Sequence, residues 1–205
     1  MKPEPTTSPT EAGCVFCERV DQPPPLFETD NFYAMPDMFP LLPGHVLIIS
    51  KPHLRCLADA TYTQLVELDQ AAGRASKFLV HAYGGEPFIW ENGITGQSVF
   101  HSHLHLVPCP RVELPQPLEA YDDVVPLQDW AALKAFFTQH GRYRYLELGD
   151  QNYLIGSTGA AIAALRLSLD GVGGLAWTGS GWIKPTSQSD VDAVVERWRT
   201  YPTSS

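Results

Sequence analysis

With 205 residues, 44% hydrophobic and 18% charged, the chain has the composition of a soluble globular protein, long enough for one buried core or two small ones. A formal net charge of −9 excludes broad electrostatic binding to nucleic acid, while leaving room for a local cationic pocket that takes a small phosphorylated ligand. No apolar run approaches the roughly 20 residues of a membrane span, so no membrane partner is expected.

Residues 1–12 are rich in Pro and Thr and lack the apolar centre of a secretory signal. They are expected as a disordered tail, and a cytoplasmic location follows by default. Cys14-Val-Phe-Cys17 has the two-residue spacing of a metal knuckle or a redox pair. The prolines at 23–25 stop any helix of the kind that follows a redox motif, so metal is the better reading, with redox and a buried thiol pair as the alternatives. Cys56 and Cys109 are read as small buried residues.

Leu26–Ala34 reads as two short strands around an Asp-Asn turn, residues 35–44 as a loop, and His45–Ser50 as an apolar strand. Between Asp59 and Ala82, apolar residues at 65, 68, 71, 72, 75, 78, 79 and 82 follow the i, i+3, i+4 spacing of an amphipathic helix, which Gly84-Gly85 ends. Phe88–Trp90 is a short strand, and Glu91–Gly96 is a turn.

Residues 97–107, Gln-Ser-Val-Phe-His-Ser-His-Leu-His-Leu-Val, read as a strand whose alternation places His101, His103 and His105 on one face. Phe100, Leu104 and Leu106, with Ser102, take the other face and look like core. The outer histidines then lie roughly 13 Å apart. Zn–N bonds are only about 2 Å, so a division of labour fits better than three ligands on one ion.

Residues 112–126, acidic and proline-rich, look like a linker. Beyond it, Asp129 is placed to cap a helix from Trp130 to about Gln139, and a hairpin over Gly149-Asp150 joins Tyr143–Leu148 to Asn152–Ile155. A helix is expected over Ala160–Ser168, then a Gly-rich stretch over 171–181. Ser189 or Asp190 would cap a last helix reaching Trp198. The expected organisation is a tail over 1–12, an α+β domain over 13–111, a linker over 112–126 and a smaller α+β extension over 127–205.

Three segments in order, Cys14-x-x-Cys17, Pro43-Gly44-His45-Val-Leu-Ile-Ile-Ser-Lys-Pro-His53 and Gly96-Gln-Ser-Val-Phe-His101-x-His103-x-His105-Leu-Val107, resemble the histidine triad (HIT) superfamily. The likeness covers about half the chain, residues 14–111. Its pattern has an apolar residue between the histidines, and Ser102 departs from it. The resemblance implies an antiparallel sheet with one long helix, and a nucleotide hydrolase acting at the α-phosphate of a nucleoside monophosphate conjugate, a phosphoramidate or a dinucleoside polyphosphate.

In that reading His103 is the nucleophile and forms a nucleotidyl-histidine intermediate, its other ring nitrogen held by a backbone carbonyl. His105 contacts phosphate oxygens, and Ser98 and Gln97 meet the phosphoryl and leaving groups, Ser98 as proton donor. An ordinary strand hydroxyl is the plain alternative for Ser98. Asn92 resembles the family's phosphate-side asparagine. Asp37 would accept the ribose hydroxyls, against the alternative of a turn-capping loop residue, and Phe32 and Met38 would wall the base. His45 packs near the site in relatives, or is simply a satisfied semi-buried histidine.

The zinc-bearing branches imply a structural Zn2+ on Cys14, Cys17, His53 and His101, a closed tetrahedral set. A His at 105 favours hydrolysis, since transferring relatives carry Gln there. Two other functions stay open: a nucleotidyltransferase or phosphorylase using the same intermediate, and a non-catalytic nucleotide-binding protein. Small relatives form homodimers through the long helix and an edge strand, a surface the C-terminal half offers to cover instead.

Overall fold

The computed structural model describes residues 10–19, 21–108, 111–113, 116–121, 123–156, 166–169, 172–176 and 188–202. Eight of its strands form one antiparallel sheet. In chain order these are β1 (Phe27–Glu28), β2 (Phe32–Pro36), β3 (Val46–Ser50), β4 (Pro87–Glu91), β5 (His103–Pro108), β7 (Val124–Pro126), β8 (Arg144–Leu148) and β9 (Gln151–Ile155). Their spatial order is β1-β2-β3-β5-β4-β8-β9-β7. A second sheet joins β6 (Arg111–Glu113) to β10 (Arg166–Leu169) and β11 (Val172–Ala176). The α+β class with an antiparallel sheet and one long helix is as expected.

That helix, α2 (Tyr62–Tyr83), opens on a reciprocal capping box between Thr61 and Gln64 and closes on Gly84 in the left-handed conformation. It lays Leu65, Leu68, Ala71, Ala75, Phe78 and Leu79 on one face of the sheet, against Phe32, Ala34, Ile48, Leu104 and Leu106. The opposite sheet face carries Tyr33, Met35, Leu47 and Ile49, covered by Phe16 of the short helix α1 (Val15–Glu18) and by Met38. It also carries Trp90, Val107 and Leu146. Strand side chains alternate, so this second face receives the histidines.

Helix α3 (Trp130–His140) begins where Asp129 accepts the Ala132 N–H at 2.8 Å, and the hairpin turns at Gly149-Asp150, both as expected. The terminal helix α4 (Gln188–Thr200) starts one residue before Ser189 and runs past Trp198, so Ser189 and Asp190 lie in its first turn. Trp198 packs on Phe78 of α2 and Phe27 of β1, with ring centroids 5.1 and 5.4 Å apart.

Other expectations need correction. The histidine strand is shorter than 97–107: pairing begins at His103, and 97–102 is a bent approach. Hydrogen bonds from the Ser102 N–H to Leu54 O (2.6 Å) and from His101 to Ser50 O (2.6 Å) hold that approach outside the ladder. Phe100, expected in the core, is exposed as a result. The 112–126 segment contains β7 and a 3-10 turn at Leu118–Ala120, because Leu118 and Val124 bury with Trp90 and Leu146. Residues 166–168, expected at the end of a helix, pair as strand β10 with β6 and β11, while 157–165 lie outside the described residues. Part of the Gly-rich stretch is β11, which pairs antiparallel with β10. Residues 1–9 and Cys109 also lie outside the described residues, whereas Glu11 of the expected tail is engaged at His53.

The hairpin does not stand apart from the first half. Strand β8 pairs with β4 through Ile89↔Glu147, Trp90↔Leu146 and Glu91↔Tyr145, so β4 is interior to the continuous sheet. Among the described residues no helix is long and apolar enough to cross a membrane.

Candidate active site

His103 opens β5, opposite Ile49 of β3, and is buried. Its Nδ1 lies 2.6 Å from the backbone oxygen of His101. A carbonyl can only accept, so Nδ1 carries the hydrogen and Nε2 the lone pair. A neutral imidazole in this tautomer is a nucleophile at Nε2.

His105, two residues on and so on the same face, has its ring centroid 4.8 Å from that of His103. His105 Nδ1 is 3.0 Å from His45 Nε2. The Leu41 N–H donates to His45 Nδ1 at 3.2 Å, and Asp37 Oδ2 lies equally close to that nitrogen at 3.2 Å. The Leu41 N–H can only donate, so Nδ1 is an acceptor and the His45 hydrogen sits on Nε2. His45 Nε2–H then donates to His105 Nδ1, which makes His105 Nε2–H a donor suited to a phosphate oxygen. The Trp90 indole stacks on the His105 ring at 4.4 Å with 3° between planes.

His101 has a different environment. Its Nε2–H donates to Ser50 O at 2.6 Å, so Nδ1 bears the lone pair, 3.4 Å from Cys14 Sγ and 3.5 Å from Cys17 Sγ. His53 repeats the arrangement: Nε2 faces Glu11 Oε2 at 2.6 Å and Nδ1 faces Cys17 Sγ at 3.2 Å. One donor atom from each of Cys14, Cys17, His53 and His101 lies within 4.8 Å of the others. A tetrahedral zinc with Zn–S of about 2.3 Å and Zn–N of about 2.0 Å requires S···N separations of about 3.5 Å. The set therefore fits such an ion, and its outer oxygen acceptors fix the ligating tautomers. Burial pushes His101 down to about 4, which keeps it neutral as a ligand must be. Burial raises the Cys17 thiol, so a cation among these groups is what favours its ionised form.

The remaining expected residues divide. Met38 borders the apolar cluster of Tyr33, Met35, Leu47 and Ile49, and Phe16 sits 5.2 Å from the His103 ring. Phe32 does not join them: strand alternation turns it to the opposite face, into the core beneath α2. Asp37 is buried, with Oδ1 accepting the Phe39 N–H at 2.8 Å and Oδ2 beside His45. Asn92 accepts from Arg144 Nε at 3.3 Å. Gln97 donates to Arg55 O at 3.0 Å, while its Oε1 and the Thr95 hydroxyl are buried with no hydrogen-bond partner among the described residues. Ser98 is exposed on the same loop.

Sequence reasoning missed Phe16, Met35, Tyr33, Trp90, Tyr143 and Arg144. A period-2 count from the β2–β3 pairing would have exchanged Phe32 for Tyr33 and Met35. The contributions from 143 and 144 carried no motif: they come from the start of β8, which pairs with β4, and from Tyr143 just before it, bridged to Ile94.

A HIT domain model matches residues 23–111. A HIT-like protein of Chlamydia trachomatis serovar D is 36% identical over 99 residues, covering 46% of this chain and 83% of the relative. The adenylylsulfatase HINT3 of Arabidopsis thaliana is 32% identical over 108 residues, covering 50% of this chain and 55% of the relative. The bis(5'-adenosyl)-triphosphatase of Dictyostelium discoideum is 27% identical over 101 residues, covering 48% and 68%. Matched strands, helix and histidine row together make this chain a member of the histidine triad (HIT) family.

Proposed function

We propose that the chain hydrolyses nucleoside monophosphate conjugates, phosphoramidates or dinucleoside polyphosphates, at the α-phosphate. The observation that carries this is the His103 Nδ1–His101 O hydrogen bond of 2.6 Å, which leaves Nε2 with the lone pair beside the His105 donor. Relatives named as an adenylylsulfatase and a bis(5'-adenosyl)-triphosphatase support the same class.

His103 Nε2 attacks the α-phosphorus, and a P–N bond forms as the bond to the leaving group breaks. The Ser98 hydroxyl delivers a proton to the departing atom. The imidazole keeps its Nδ1 hydrogen on the His101 carbonyl throughout, which stabilises the cationic ring of the intermediate. His105 Nε2–H and donors of the 92–98 loop, with Asn92 and Gln97, hold the phosphoryl oxygens as charge develops. Water then attacks the phosphorus, returning a proton to the Ser98 oxygen, the P–N bond breaks, and the nucleoside monophosphate leaves with His103 and Ser98 restored. Tyr33, Met35, Met38 and Phe16 wall the nucleoside, and the Asp37 carboxylate, beside His45, takes the ribose hydroxyls.

Cys14, Cys17, His53 and His101 would hold a structural zinc, which supplies cross-linking of the N-terminal segment to the triad approach and no chemistry at phosphorus. It commits His101 to structure and so leaves two histidines for the reaction.

The test is turnover of adenosine 5'-phosphoramidate and diadenosine polyphosphates by wild type and His103→Ala. Quenching in alkaline denaturant preserves the acid-labile P–N bond for mass spectrometry. A nucleotidyl adduct on wild type and loss of both adduct and turnover in His103→Ala are expected. Equal turnover by the variant refutes the mechanism.

A further inference from the structure

Ser102 breaks the apolar pattern between the first two histidines, and its surroundings give the reason. Its hydroxyl donates to Glu91 Oε1 at 3.2 Å. Glu91 is wholly buried at the end of β4; Oε1 also accepts the Leu57 N–H at 2.9 Å, and Oε2 accepts the Tyr143 hydroxyl at 2.5 Å. The Tyr143 oxygen in turn accepts the Ala58 N–H at 3.2 Å. Buried carboxylates are costly unless their lone pairs are matched, and here donors from three separate segments, at 57, 102 and 143, match this one.

Tyr143 belongs to the C-terminal half, outside the 23–111 family match. It is fully buried, its N–H donates to Gly93 O at 2.9 Å, and its ring lies where a Cβ on Gly93 would come within 2.3 Å. Only glycine fits between the 92–98 loop and this ring. The hydrogen-bond chain thus runs from the C-terminal half through β4 to the residue between His101 and His103.

Ser102 is held at three points: its N–H on Leu54 O (2.6 Å), its carbonyl on the Ser50 N–H (3.2 Å), and its hydroxyl on Glu91. The peptide joining His101 to Ser102 carries the carbonyl that receives the His103 Nδ1–H. An apolar side chain at 102 would fill space without restraining the angle of that peptide. A directional hydrogen bond does restrain it.

We infer that Tyr143, Glu91 and Ser102 form a positioning chain by which the C-terminal half sets the His101 carbonyl, and through it the tautomer and aim of His103. The inference rests on His103 being the nucleophile. The residues of the chain do not touch substrate; they act through the His101–Ser102 peptide. Small misplacement of a reacting group costs on the order of 10²-fold in rate, so loss of one link should be read in kcat.

The experiment compares full-length wild type, Ser102→Ala, Tyr143→Phe and the double variant. Ser102→Ala supplies the family's ordinary apolar residue and Tyr143→Phe keeps the ring, so each removes only a hydroxyl. Expected on adenosine 5'-phosphoramidate is a fall in kcat of roughly 10-fold or more for each single variant, with KM near wild type. The double variant should be no worse than the poorer single, as members of one chain require. In parallel, 15N NMR of the imidazoles should show His103 as the Nδ1–H tautomer in wild type and a mixture with Nε2–H in both single variants. An unchanged His103 tautomer with wild-type kcat in Ser102→Ala overturns the positioning chain. If wild type does not turn over any nucleotide conjugate, the hydrolase reading fails on its own, and the tautomer measurement still decides the chain.

Discussion

Glu91→Gln should change how stability depends on pH, and the structure sets the sign and size. Burial pushes Glu91 from 4.5 up to about 7, opposed by hydrogen bonds from Tyr143, the Leu57 N–H and Ser102. In the unfolded chain the same carboxyl ionises near 4.5. Between those values the folded state binds the extra proton, so the stabilising contribution is full below about 4.5 and is lost as pH rises through about 7. At 1.36 kcal/mol per pH unit, the rise amounts to about 3 kcal/mol. Glutamine does not titrate. Its oxygen can still accept from Leu57 and Ser102, and its NH2 can donate to the Tyr143 oxygen, so the variant loses no shape. Urea denaturation of both proteins, equally metal-loaded, should show the variant gaining about 3 kcal/mol relative to wild type between about pH 4.5 and about pH 8. The other ionisable groups are common to both and cancel. A difference between the two proteins that stays constant across this range would refute the assignment of Glu91 as a buried acid pushed up to about 7.

Protein purified without chelators should contain one zinc per chain, and chelation should lower the melting temperature by about 8–16 °C. That range corresponds to the roughly 4 kcal/mol supplied by a ligand at 1,000 times its Kd in a chain of this length. A metal-free sample with an unchanged melting curve would remove zinc from Cys14, Cys17, His53 and His101. Light scattering should give the mass of one chain: β4 is already hydrogen-bonded to β8, and α4 lies against α2 through Trp198 and Phe78. A dimer mass that dissociates on disrupting the α2 surface would restore the pairing expected for small relatives.

Much of the site was legible before any tertiary contact, because its chemistry sits in short segments. The alternation of His103 and His105 on one face, the two-residue spacing of Cys14 and Cys17, and the apolar stripe of α2 are local properties that a strand or helix period converts directly into geometry. The three histidines were expected to share work, and the donor sets around them differ accordingly. Phe32 was misplaced for a local reason as well. A strand buried on both faces shows no polar–apolar alternation, so composition does not say which side of β2 faces the histidines. The 97–102 segment reads as strand by propensity, yet hydrogen bonds to Ser50 and Leu54, distant in sequence, hold it off the ladder.

What the chain determined by itself, then, is the fold class, the long helix and its cap, and the identity of the residues with chemistry to offer. Tertiary structure decided the tautomers of His101 and His105, since their partners, Ser50 O and His45, come from another strand and its approach, whereas the His103 tautomer rests on the His101 carbonyl two residues away. It also decided that the C-terminal half continues the same sheet and places Tyr143 against Glu91. Those contacts join residues 52 positions apart, and nothing periodic in a sequence records a pairing made across a sheet.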